Sequence, residues 1–156
     1  MELGIHLSEK VNSAAPLLLA ISNESASLKP LPDKWSKKEI LGHLIDSACN
    51  NHRRFVTAQF KDDMIFEGYA QDQWVDYQEY QQAHWHSLVD LWVNYNQHIA
   101  RIIDLIPIGV LKRQHDSHNL HLLAWQQVPK GEMTSMEYFI QDYIDHLQHH
   151  LNQILK

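Results

Sequence analysis

A single cysteine, Cys49, in a chain of 156 residues leaves no partner for an internal disulfide. That scarcity fits a reducing compartment, and a lone thiol inside a helical stretch reads as a small packing residue rather than a nucleophile. Positive charge is scarce too: 13 Lys and Arg stand against 19 Asp and Glu, for a net charge of −6. This gives no electrostatic reason to expect a nucleic-acid partner. Long apolar runs are missing. The longest, Ala14 to Ile21, is interrupted by Pro16 and is too short to span a bilayer, and no basic stretch followed by a long apolar core stands at the N-terminus. The expectation is a soluble, cytoplasmic protein with no membrane partner, one domain over residues 1–156, large enough to bury a core without staples. There is no P-loop, no Gly-rich dinucleotide motif, no GxSxG nucleophile elbow and no internal repeat.

What the chain has in quantity is histidine, with twelve. The stretch Tyr138 to Ile154 carries a helical period, and a helix turns about 100° per residue, so His146 and His150 lie about 40° apart on neighbouring turns. Both imidazoles can then reach one ion. Ile140, Ile144, Leu147, Leu151 and Leu155 form the buried stripe; His146 and His150 fall beside it, while His149 faces water. Gln153 is positioned to hold the second ring nitrogen of one imidazole.

Upstream, residues 5–28 carry a helical period containing Pro16, and Lys29 to Lys34, with two prolines, breaks it. A sharply signalled helix follows: Ser36 and Glu39 form a capping box, and Thr134 and Glu137 repeat the pattern ahead of the last helix. On the helix after Ser36, residues His43, Ser47, Asn50, Asn51 and Arg54 share a polar sector beside the apolar stripe. Either that sector is solvated, or it walls a cavity in which His43 is the third ligand of the histidine pair. Residues 61–76 read as a long crossover that permits the helices on either side of it to run parallel. The strongest periodic signal runs from Gln78 to Ile106 through Trp85, Leu88, Trp92 and Ile99, with His84 on the same face as a reserve ligand. A second histidine cluster, His115 to His121, lies among helix breakers and reads as a surface loop able to cap a pocket.

Trp35-Ser-Lys-Lys-Glu-Ile-Leu-Gly-His-Leu-Ile-Asp-Ser47, Asn50-Asn-His-Arg-Arg-Phe55 and the terminal Asp142-Tyr-Ile-Asp-His-Leu-Gln-His-His-Leu-Asn-Gln-Ile154 resemble the DinB/YfiT-like superfamily. The resemblance covers nearly the whole chain. It implies an all-α four-helix bundle of up-down-down-up topology with a long crossover between the second and third helices, dimerisation, and three histidines on a divalent ion. By motif position those are His43, His146 and His150. The family name refers to DNA-damage induction and implies no DNA contact.

Three neutral imidazoles leave coordination positions open, and imidazole sites accept nickel, zinc or manganese according to supply. Superfamily members of this kind transfer low-molecular-weight thiols to electrophiles, or are described as metal-dependent hydrolases. Thiol transfer is the preferred expectation, because hydrolysis commonly uses a nearby carboxylate base and only Asp46 and Asp142 come near, at the pocket rim. Ser47, Asn50 and Arg54 are the candidates to orient a small-molecule substrate, Arg54 on an anionic group. The competing class is a non-catalytic metal or ligand sensor, a dimeric scaffold or a stress-response protein.

Overall fold

The computed structural model describes residues 2–156. Helix α1 spans Leu3–Leu19, α2 Asn23–Ser27, α3 Lys37–Thr57, α4 Gln71–Tyr77, α5 Trp85–Asp104, α6 Ile108–Leu111, α7 Leu120–Leu123 and α8 Met136–Ile154. Two short strands, β1 (Gln114–His115) and β2 (Thr134–Ser135), pair antiparallel. Among the described residues no helix is long and apolar enough to cross a membrane.

Four long helices, α1, α3, α5 and α8, make the bundle, and side-chain pairs fix their directions. Ser8 meets Gln97 while the Trp85 indole donates to the Leu18 carbonyl, so α1 and α5 are antiparallel. Tyr80, just ahead of α5, reaches Asp46, and His52 meets Tyr95, so α3 and α5 run parallel. The Lys37 ammonium reaches the Ile154 carbonyl while Phe55 packs on Phe139, which makes α3 and α8 antiparallel. The order is therefore up-down-down-up. Residues 58–84 supply the crossover and carry α4 between two 3-10 turns. Buried Leu7, Val11, Leu18, Leu41, Leu44, Phe55, Trp85, Trp92, Ile99, Ile140, Ile144 and Leu151 fill the space between the four helices.

Several boundaries differ from the sequence expectation. The first period is two helices, because Ser22 caps a new start by accepting from the Ser25 N–H (3.0 Å). Pro16 lies inside α1 on its exposed face, where its ring does not disturb the core. The long third helix begins at Trp85 rather than Gln78, after a left-handed residue, Glu79 (φ 49°), and a 3-10 turn at Tyr80–Gln82. His84 consequently sits at an exposed helix entrance, its ring near His86 and away from the other candidate ligands. The capping box at Ser36 and Glu39 is present in both directions. The second box is not: Thr134 is paired with His115 in the strand ladder, and Ser135 takes the cap, accepting from the Tyr138 N–H (3.2 Å). The His115–His121 segment is not a surface loop throughout. His115 and His118 are buried, and the Nε2 of His118 lies 2.8 Å from the Glu132 carbonyl, so they pin the loop.

One close approach positions α3. A Cβ on Gly42 would collide with the Tyr80 ring, which crosses the helix here to deliver its hydroxyl to Asp46 (2.6 Å). Gly42→Ala is expected to destabilise the fold by about 1–3 kcal/mol through overpacking, read as a lowered melting temperature.

Candidate metal centre and its cavities

The capping box fixes the phase of α3, and the antiparallel pairing sets the first turns of α3 against the last turns of α8. That juxtaposition brings His43 opposite the i, i+4 pair. The Nε2 of His43 lies 3.3 Å from that of His146, and the Nε2 of His150 lies 3.1 Å from the same atom. An ion bound tetrahedrally by imidazoles at about 2.0–2.1 Å separates its ligand atoms by about 3.3 Å. The two separations from His146 match that spacing, and all three ligand nitrogens lie within 4.8 Å of one another. A ring nitrogen presents one proton or one lone pair, so the Nε2 of His146 cannot hydrogen-bond well to both neighbours at once. One ion among the three would satisfy every lone pair. These three residues form a group able to hold a metal ion.

The surroundings keep the imidazoles neutral. Burial, reinforced by His150, pushes His43 down to about 4. Burial together with the neighbouring histidines pushes His146 down to about 3. His150 is lowered by burial as well, against an opposing bond from Gln153, whose Oε1 lies 2.7 Å from its Nδ1. With that bond holding the Nδ1 proton, the Nε2 lone pair points into the site. His149 is exposed, and Nδ1 of His43 is buried without a partner.

A pH dependence follows. His43 and His146 titrate lower in the fold than their ordinary value of 6.5, so below that pH the unfolded chain binds protons that the native state does not. Stability of the metal-free protein is therefore complete above about pH 6.5 and falls toward pH 4, by on the order of 1 kcal/mol per pH unit for each histidine. Asp46 and Asp142, raised mainly by burial, act in the opposite sense. Chemical denaturation of chelator-treated protein at pH 7, 6 and 5 measures this slope.

The histidines stand at one end of a cavity of about 610 Å³, flanked by Trp35 and Trp125. Trp35 lies 5.3 Å from the His43 ring and Trp125 6.3 Å from that of His146. Ser47, Asn51 and Arg54 form its polar wall on α3, Tyr69 joins from the crossover, and Phe139 and Tyr143 line it from α8. Tyr143 is fixed by donating to Asn96 on α5 (2.5 Å). The segment around α7 caps the cavity with Leu122, Leu123 and Trp125, the covering role its sequence position allowed.

Two expected pocket residues lie elsewhere. Asn50 donates back to the Asp46 carbonyl (2.9 Å) and faces a second cavity, while its neighbour Asn51 takes the place beside the histidines. Asp46 is buried behind the wall, where its Oδ1 accepts from Tyr80 and Gln78. Asp142 does line the cavity, but its two oxygens accept from the backbone N–H groups of Trp125 (2.9 Å) and Gln126 (2.7 Å), tying the covering segment down. Cys49 is exposed rather than packed. Trp125 and Tyr69 carried no signal in the sequence, because their segments have no period from which an inward direction could be read.

No known family profile matches the sequence, and no curated protein matches it. A solved structure does. YfiT from Bacillus subtilis, described as a probable metal-dependent hydrolase with an unusual four-helix bundle topology, matches 97% of this chain and 81% of its own, with a TM-score of 0.77 at 16% identity. The chain therefore has the four-helix bundle fold seen in YfiT.

Proposed function

We propose that the protein is a divalent-metal enzyme acting on a small anionic molecule, with His43, His146 and His150 as the metal ligands and hydrolysis as the leading reaction. The observation that carries this reading is the convergence of three neutral imidazole nitrogens at the end of a cavity large enough for a substrate. A divalent ion on three neutral ligands keeps open positions and its full charge, and so draws the pKa of a bound water or thiol toward neutrality. The chain's own residues supply the rest. Gln153 holds the tautomer of His150, Trp35 and Trp125 flank the histidine end, and Asp142 anchors the covering segment. Ser47, Asn51 and Arg54 are placed to orient the substrate, and the Arg54 fork suits an oxyanion.

One observation favours transfer of a low-molecular-weight thiol as the second reading: the carboxylate lining the cavity, Asp142, already accepts two backbone hydrogen bonds and is poorly disposed to serve as a base. Zinc, nickel and manganese are the candidate ions, and homodimerisation, which the family resemblance implies, is checked by sedimentation. Protein purified without a nickel column and loaded with each ion in turn is assayed on carboxylate-bearing esters and amides, and on cysteine with an electrophilic bimane. Metal-dependent turnover that is lost in His146→Ala supports an enzyme, and the productive substrate pair chooses between the readings. Metal binding without turnover on either set would favour a sensor or scaffold.

A further inference from the structure

Behind the wall of the histidine cavity lies a second one of about 840 Å³, and Arg54, Gly68 and Tyr69 line both. The other basic side chains at this second cavity reach solvent and have carboxylates nearby: Glu67 lies 3.8 Å from Arg53 and Asp63 3.1 Å from Lys61. Arg54 is different. It is 7% exposed, yet among the described residues no carboxylate pairs with its guanidinium. Its hydrogen bonds are one to the Glu67 carbonyl (2.8 Å) and a long one to Asn51 Oδ1 (3.5 Å). A guanidinium has five N–H donors, and a buried charge without a counter-ion is costly unless something completes it. Around it the second cavity presents flat and apolar surface from Trp74, Tyr69, Phe66 and Tyr95, the Tyr69 and Trp74 rings standing 5.1 Å apart.

We infer that the second cavity is a binding site for a small organic oxyanion, a carboxylate or a phosphate monoester, with an aromatic body. The Arg54 fork takes the oxyanion, and the body lies against Trp74 and its aromatic neighbours. Cavities of this size accommodate drug-sized ligands, and bidentate pairing to a buried guanidinium supplies orientation. The site stands whether or not the histidines carry an ion. The same guanidinium lines both cavities, so an anion seated here competes for it with a substrate oxyanion in the histidine cavity.

The lone thiol makes the site reportable, because Cys49 is exposed and lines this cavity. The probes are naphthalene-2-carboxylate, 2-naphthyl phosphate and the neutral naphthalene-2-carboxamide, measured by calorimetry and by the rate of Cys49 alkylation with iodoacetamide. Chelator-treated and as-isolated protein are run in parallel. At least one anion is expected to bind saturably and slow alkylation at least fivefold in both preparations, with the carboxamide at least tenfold weaker; which anion binds identifies the headgroup. Arg54→Gln should abolish anion binding, Arg54→Lys should weaken it because the bidentate fork is lost, and Trp74→Ala should weaken whichever anion binds. Circular dichroism checks that each variant is folded, and the acid-against-amide comparison in the wild type decides the charge requirement even if Arg54→Gln is not. Equal binding of acid and amide, binding unchanged in Arg54→Lys and Arg54→Gln, or no binding of either anion would overturn the inference.

Discussion

His146→Ala should leave a folded chain that no longer retains a divalent ion. His146 is the middle member of the group, with its Nε2 at 3.3 Å from His43 and 3.1 Å from His150, so its loss leaves an ion only two protein ligands. The apolar core between the helices does not depend on it, because Trp85, Trp92, Phe55, Ile140 and Ile144 pack independently of the imidazoles. Gln153→Ala offers a graded comparison: it removes only the group holding Nδ1 of His150, and outer partners of this kind typically change metal affinity roughly 10–100-fold. His146→Ala should exceed that range. Competition against a chromophoric chelator ranks the three proteins, and an affinity for His146→Ala equal to wild type would remove it from the site.

Phe55→Ala should be the most destabilising of the single changes considered, at about 3–5 kcal/mol. Phe55 is fully buried where α3 meets α8, edge-on to Phe139 (5.9 Å between centroids) and to Tyr143 (5.6 Å). Truncation leaves a void under the floor of the histidine cavity and removes two edge-to-face contacts, each contributing about 0.5–1.5 kcal/mol beyond burial. For a domain of ordinary stability, about 5–15 kcal/mol, that is a large share. Urea denaturation should show a lowered midpoint with an unchanged slope. Phe139 and Tyr143 also line the cavity, so any ligand affinity should fall with stability. Phe55→Leu, which keeps much of the volume, should recover more than half of both.

The histidine group was legible because helix geometry leaves little freedom. The i, i+4 spacing of His146 and His150 fixes their direction once Leu147 and Leu151 define the buried stripe, and Ser36 with Glu39 fixes the phase that carries His43. The bundle was legible for the same reason, since the buried positions of α1, α5 and α8 largely repeat every three or four residues. Misplaced residues depended on which neighbour each face meets. Asn50 and Asn51 both fell within the polar sector, but α3 is flanked by α5 on one side and α8 on the other, and only Asn51 turns toward the histidines. Thr134 and Ser135 are equivalent caps by composition. A two-residue strand pairing with Gln114–His115, invisible without the fold, hands the cap to Ser135. His115 and His118 looked like loop residues because nothing local announces the backbone carbonyls of Asp62 and Glu132 that they meet.

Anomalous diffraction from a crystal soaked in zinc tests the central claim most directly. A single strong peak about 2.0–2.1 Å from Nε2 of His43, His146 and His150 together is the predicted result, with no such peak in His146→Ala. A zinc peak bound elsewhere, or none within coordination distance of all three nitrogens, would contradict it.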